Sequence, residues 1–467
     1  MALATGIGDW IRHGVGDRLL LTRPTRVATM SLPMDSAHDL ASTHVRDAVW
    51  ERHSVALIVV FWVLVRALQV RFLGWGTGSD PELYLRYAQQ WLGGRAYAAF
   101  QPEYPPGAFP VFLLPLLVGG AANYARMFAT EMACFDLATC VLVFKCAEWR
   151  ASPWPTPVRA SMLYTLMTAA LYPILYARFD LVPALLVLAA ICCLHRRRFC
   201  TSALLLGAGG AVKLWPLALV PVWLGWAALH GGKKRFVGVG VWIAAGALLA
   251  SLPVLPLARL EALSFLRFHA ARGIQIESTW ATLALVLGQC GLATVRPEFN
   301  FGAFHVAGRV PSVFAAISAP LSLVVALVPQ AFAIARGFRS ERGGVPSERA
   351  FGYAALGGII GFMIASKVLS PQYMVWIAPM LALAADGPAD FACVLAIGAL
   401  TTAVYPYLSP ALELRAPGHL LALFAIGSRN VLLIVWYCVA VRRGSKIDPA
   451  FPERPVGGPL AFADTTK

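Results

Sequence analysis

Uncharged apolar runs of roughly twenty residues recur along this chain, separated by short clusters of Lys and Arg, and that alternation leaves few folds open. A helix of that length crosses a hydrocarbon layer about 30 Å thick. Inside such a layer each backbone N–H and C=O must be satisfied within the protein, so only helices or a closed barrel can cross it. The period-two alternation of barrel strands is missing, and the fold class predicted is an all-α polytopic membrane protein. With 58% of residues hydrophobic and only 13% charged, an ordinary soluble domain is excluded. The formal charge of +15 suggests a nucleic-acid binder at first sight. Its Lys and Arg sit between apolar runs, however, which is how membrane orientation is written, so no nucleic-acid partner is expected.

The basic groups fall before the first apolar run (Arg46, Arg52), at 145–159, at 195–198, at 233–235, at 336–349 and at 442–446. Placing all of them in the cytoplasm predicts helices near 54–74, 124–146, 158–176, 180–194, 200–213, 215–229, 236–257, 311–335, 349–366, 372–386, 389–406 and 418–441. That makes about twelve crossings of the plasma membrane with both termini cytoplasmic. The apolar stretch 107–121 is short and flanked by proline, and is expected to lie in the outer interface. Lys213-Leu214-Trp215-Pro216 marks a break between two short passes. Residues 1–50 read as a flexible cytoplasmic arm, 51–443 as the transmembrane domain and 444–467 as a disordered cytoplasmic tail. The nine cysteines show neither zinc nor disulfide spacing and read as small core residues.

In this topology the remaining polar residues gather on the non-cytoplasmic face. Asp80, Glu82, Arg86, Glu103 and Tyr104 lie in the first outer loop, and Arg178 and Asp180 open a later span. His269, Arg272, Gln275 and Glu277 lie in the long middle loop, and Lys367, Ser370, Gln372 and Tyr373 in a short third one. Asp80-Pro81 is a helix-start pair, followed by Leu83, Tyr84, Tyr87, Ala88, Trp91 and Leu92 at helical spacing up to Gly93-Gly94. This predicts an amphipathic surface helix with an aromatic face. A capping role alone would also account for Asp80. Arg178 and Asp180 admit a local ion pair, Lys213 a snorkelling side chain, Arg66 either a snorkelling side chain or a pair with a neighbouring helix, and His269 with Arg272 a solvated loop. Lys367 stands where the positive-inside pattern disfavours a cation, which suggests an anionic ligand.

Asp80 to Tyr84 with Gly93-Gly94-Arg95-Ala96-Tyr97 resembles the first outer loop of the glycosyltransferase 87 family. The similarity continues through Tyr104-Pro105-Pro106, Arg178-Phe179-Asp180, Lys213-Leu214-Trp215-Pro216, Arg272 to Ser278, and Lys367 to Tyr373. It thus covers roughly residues 54–385 in motif order. The resemblance implies a GT-C-like bundle that uses polyprenyl-phosphate sugars as donors, mannose or arabinofuranose among them. It also implies an acidic catalytic residue in the first outer loop, here Asp80.

The chemistry is consistent with these residue types. A carboxylate, Asp80, would take the proton from an attacking acceptor hydroxyl. Cations would hold the lipid phosphate as its charge grows: Lys367, Arg272 and His269 first, Arg178 and Lys213 second. Glu103, Tyr104, Asp180, Gln275, Glu277, Gln372 and Tyr373 are the candidate sugar contacts. The expected partners are a polyprenyl-phosphate sugar, a glycolipid or glycan acceptor and membrane lipid. The first loop has no Asp-x-Asp pair, and neither metal nor cofactor is expected. The rival class is a lipid-linked sugar flippase or transporter, which would place ionisable groups at mid-membrane.

Overall fold

A computed structural model describes residues 34–75, 80–95, 97, 102–148, 156–339, 348–412 and 416–445. In chain order the helices are α1 (Met34–Leu73), α2 (Asp80–Leu92), α3 (Phe109–Gly119), α4 (Tyr124–Glu148), α5 (Pro157–Ala170) and α6 (Tyr172–Leu175). There follow α7 (Leu181–His195), α8 (Phe199–Val212), α9 (Val220–Ser251), α10 (Leu255–Ala258), α11 (Phe265–Ala271) and α12 (Thr279–Gln289). The last are α13 (Arg309–Arg339), α14 (Glu348–Ala365), α15 (Tyr373–Ala384), α16 (Pro388–Thr402) and α17 (His419–Gly444). The expected arm at 1–50 falls outside the described residues up to 33, and from Met34 the chain is helical. The expected tail lies outside them from 446 onward.

Among the described residues 82% are helical, and the protein is an all-α membrane protein. Six stretches of them are long and apolar enough to cross a membrane: Arg52–Leu73, Ala121–Glu148, Trp215–Ser251, Arg309–Phe338, Pro388–Leu412 and His419–Gly444. Shorter apolar helices are Pro106–Gly119, Leu181–His195, Phe199–Val212 and Tyr373–Ala384. Leu57, Leu64, Leu68, Val324, Phe424 and Val431 on the long helices are exposed, as side chains facing lipid would be.

Local sequence explains where the helices break. α8 stops at Val212, Lys213 is extended, and a short 3-10 turn, Trp215–Leu219, leads through Pro216 into α9. Gly231 and Gly232 leave helical geometry and divide α9 into two segments. The second segment lies so close to α8 that a Cβ on Gly207 would sit 1.9 Å from the Ile243 carbonyl oxygen. One on Gly246 would sit 2.0 Å from that of Leu204, so the crossing requires both glycines.

Two expectations change. The aromatic face of α2 does not lie in the membrane surface: Tyr84, Tyr87, Ala88 and Trp91 are buried against protein. Tyr84 stacks on Phe112 of α3 with centroids 4.5 Å apart and meets Phe179 edge-on at 5.5 Å, so ring packing holds α2 down. The cysteines are not all isolated either, since Cys146 of α4 and Cys192 of α7 form a disulfide. The long middle loop contains a small antiparallel sheet. Its strands are β1 (Ile274–Gln275), β2 (Arg296–Asn300) and β3 (Ala303–Ala307), in the order β1-β3-β2.

Two buried ion pairs tie the helices together. Asp136 on α4, fully buried, accepts from Arg66 Nε and Trp62 Nε1 on α1 at 2.8 Å each. It also accepts from Tyr164 of α5 at 2.7 Å and Tyr176 at 2.9 Å. Arg66 donates onward to Gln69 and Thr168, so of its two expected roles it takes the pairing with a neighbouring helix and does not snorkel. Arg429 on α17 donates to Glu277 Oε2 at 2.8 Å and to the Glu277 carbonyl at 2.6 Å. Removing one partner strands the other charge in a low-dielectric interior. Arg66→Met should therefore destabilise the fold by about 3–5 kcal/mol, read as a lower unfolding midpoint in detergent. A midpoint within error of the parent would remove the network from the account of stability.

Candidate active site

The polar residues singled out in four separate segments come together at the N-terminus of α2. Asp80 forms an ion pair with Arg178, and both are mostly shielded, at 14% and 17% exposed. This is not the local Arg178–Asp180 pair that adjacency suggested. Asp180 turns instead to Lys213, whose Nζ lies 2.7 Å from its Oδ1, and accepts from the Trp376 indole as well. Tyr405 faces Arg178 from the end of α16.

The ammonium of Lys213 is set in an aromatic box. It lies 4.7 Å from the Phe179 ring centroid and 5.7 Å from those of Tyr104 and Trp376. Trp376 is itself clasped between Trp215, at 5.0 Å, and Tyr373, at 3.7 Å. These rings present π faces to a desolvated cation and fix its position. The extended Lys213 at the α8 break is what lets the side chain leave the helix toward Asp180.

Glu103 and the middle loop complete the cluster. Burial raises the Glu103 carboxyl above its ordinary range, while Arg272 and Lys213 pull it back. His269 Nε2 meets the Glu103 carbonyl oxygen at 3.0 Å, so this nitrogen is the donor. Burial and the nearby Arg272 push its pKa down to about 4. Lys367 Nζ donates to the Ala270 carbonyl at 2.9 Å, which leaves two N–H groups for other acceptors. Its own carbonyl receives Gln275 N at 2.9 Å, so Lys367 staples the middle loop to the short loop before α15. Gln372 accepts from Ser370 and Tyr373 stacks on Trp376, which makes both part of the wall. Glu277 stands behind the cluster, 4% exposed and held by Arg429, and it contributes support rather than a free carboxylate.

Several buried polar atoms here have no hydrogen-bond partner among the described residues: Arg178 Nε, Asp180 Oδ2, Arg272 Nε, Gln275 Oε1 and His305 Nε2. Leaving such groups unmatched is costly, and their concentration in one place is typical of a site that meets a ligand. His305 was not singled out from the sequence, because nothing in the long middle loop showed which of its residues pair into a sheet. The cavities lined by Arg349, Tyr353 and Met380 and by Gln289, Gly418 and His419 include none of the cluster residues.

The histidines set a pH dependence. Folding lowers the His269 pKa from its ordinary 6.5 to about 4, and that of His305 likewise to about 4. Between those values the unfolded chain binds protons that the native state does not, so stability is complete above 6.5 and declines as pH falls toward 4. Glu103, shifted upward, opposes this over its own interval above 4.5. Thermal midpoints taken from pH 7 to 4 should fall with acid, and His269→Gln should flatten the slope; an unchanged slope would contradict the assignment. No protein-family model matches this chain, and no curated protein matches it.

Proposed function

We propose that this protein is a membrane-embedded glycosyltransferase of GT-C-like architecture, with about twelve crossings and the cluster on the non-cytoplasmic face of the plasma membrane. It moves a sugar, mannose or arabinofuranose, from a polyprenyl phosphate to a glycolipid or glycan acceptor. The observation that carries this reading is the meeting of Asp80 with Arg178, and of Asp180 and Glu103 with Lys213 and Arg272, from segments far apart in sequence. A carboxylate beside several partly desolvated cations suits a reaction that removes a proton at one atom and builds phosphate charge a few ångströms away.

In the proposed step Asp80 accepts the proton of the acceptor hydroxyl as its oxygen bonds to the anomeric carbon. The bond from that carbon to the lipid phosphate oxygen breaks, its electron pair stays on the phosphate, and the configuration inverts. Arg178 has a double part. Paired with Asp80 it holds the carboxylate in place. An arriving phosphate competes for the guanidinium and releases Asp80 to act as base. Burial and the neighbouring Arg272 lower the Lys367 pKa, and the two cations complete the anion site. The prenyl chain would occupy a groove between membrane helices.

A lipid-linked sugar flippase or transporter has one observation in its favour, the ionised groups buried between spanning helices. Asp136, however, is saturated by four donors, and Arg429 by Glu277 and Asn430, so these pairs act as fixed braces. The test is Asp80→Asn in purified protein supplied with polyprenyl-phosphate sugars and acceptor lipid. Transfer, assayed below the unfolding midpoint of the variant, should drop by about a thousandfold or more. Turnover at the parental rate would remove Asp80 as the base, and a parent that transfers none of the sugars would count against the enzyme itself.

A further inference from the structure

The small sheet beside the cluster carries a single polar rung. Gln275 of β1 and Glu298 of β2 both pair with His305 of β3, so the three side chains project from one face. The next rung, Ile274 with Val306, projects from the other face, into an apolar cluster with Ala281, Leu285, Ala422 and Ile426. Alternation therefore turns Gln275 and His305 away from that core. They face the side of the charged cluster, where Arg272 and Lys367 act on His305.

Both side chains are almost wholly buried, His305 at 2% and Gln275 at 4% exposed. His305 Nδ1 meets the Ala303 carbonyl at 3.0 Å. A carbonyl only accepts, so Nδ1 holds the proton and Nε2 presents a lone pair. Among the described residues that lone pair has no partner, and neither has Gln275 Oε1. Turning the Gln275 amide over would exchange its oxygen for N–H2 and leave His305 Nε2 an acceptor all the same. Glu298, by contrast, is exposed and takes the Asn300 amide at 3.2 Å.

We propose that the Gln275–His305 rung is a hydroxyl-reading subsite that recognises the sugar of the lipid-linked donor through its O–H donors. This rests on the transferase reading and sharpens it. Lone pairs repel a phosphate, whose oxygens are acceptors too, and attract hydroxyls that bring protons. The two ends of the donor are thereby sorted: phosphate to Arg272, Lys367 and Arg178, sugar to the rung next to them. The subsite then answers to the sugar hydroxyls that a sugar-bearing polyprenyl phosphate brings and that the spent carrier, a phosphomonoester with more negative charge, lacks.

The test compares binding of polyprenyl-phosphate mannose, polyprenyl-phosphate arabinofuranose and bare polyprenyl phosphate to the full-length protein in lipid nanodiscs. The parent should prefer at least one sugar-bearing lipid. His305→Phe, with a ring but no acceptor, should weaken that lipid by about tenfold and leave bare polyprenyl phosphate unchanged. His305→Gln, which restores an acceptor near the Nε2 position, should recover most of the preference. If His305→Phe does not fold, Gln275→Leu makes the same comparison with the same expected loss. A preference that survives these changes, or a loss shared equally by the bare lipid, overturns the subsite alone. A parent that binds none of the three lipids overturns the transferase reading, and the subsite with it.

Discussion

A charge cannot be left alone in a medium that neither solvates nor screens it, and the arrangement of this protein follows from how that demand is met. Asp136 lies in the middle of α4 with no exposure, and four donors from α1, α5 and the turn after α6 converge on it. One of the four is the Tyr176 hydroxyl. Tyr176 stands just ahead of Arg178 and Asp180, so the network that neutralises a buried carboxylate also fixes the turn that presents two site residues. From that turn Arg178 reaches back to Asp80 and Asp180 reaches across to Lys213. The brace and the proposed chemistry are continuous.

A second brace works from the opposite flank. Arg429 and Asn430 of α17 hold Glu277 and its carbonyl, just after β1. That contact seats the strand bearing Gln275, and β3 then sets His305 beside it. Lys367 closes the arrangement from a third direction, with its side chain on Ala270 and its backbone on Gln275. Rigid elements on three sides thus carry side chains that are themselves only partly satisfied. Such tension between a fully matched frame and unmatched groups inside it separates a site from a structural salt bridge.

Much of this was legible in the residues before any geometry. Apolar runs between basic clusters place the helices, and the ends observed for α4, α7, α8 and α17 fall within a few residues of those expected. The break at Lys213-Leu214-Trp215-Pro216 was readable because proline and a stranded cation disrupt a helix in known ways. Asp80, Glu103, Arg178, Lys213 and Arg272 could be singled out because charges are scarce in such a chain. Their partners could not. Arg178 looks as though it belongs to Asp180, two residues away, and pairs with Asp80 instead. The aromatic face of α2 looks like a membrane-surface face and is buried against Phe112 and Phe179.

The sequence by itself determined the solvent this chain lives in, the approximate ends of its helices and the short set of polar residues requiring explanation. These depend on local composition and on periodicity, which any stretch of twenty or so residues expresses on its own. Tertiary structure alone decided which carboxylate each cation serves, which acids became braces and which lone pairs were left unmatched. Pairing in a low-dielectric interior is settled by distances between segments 70 to 152 residues apart. No local pattern records those distances, as Asp136 with Arg66 and Glu277 with Arg429 both show.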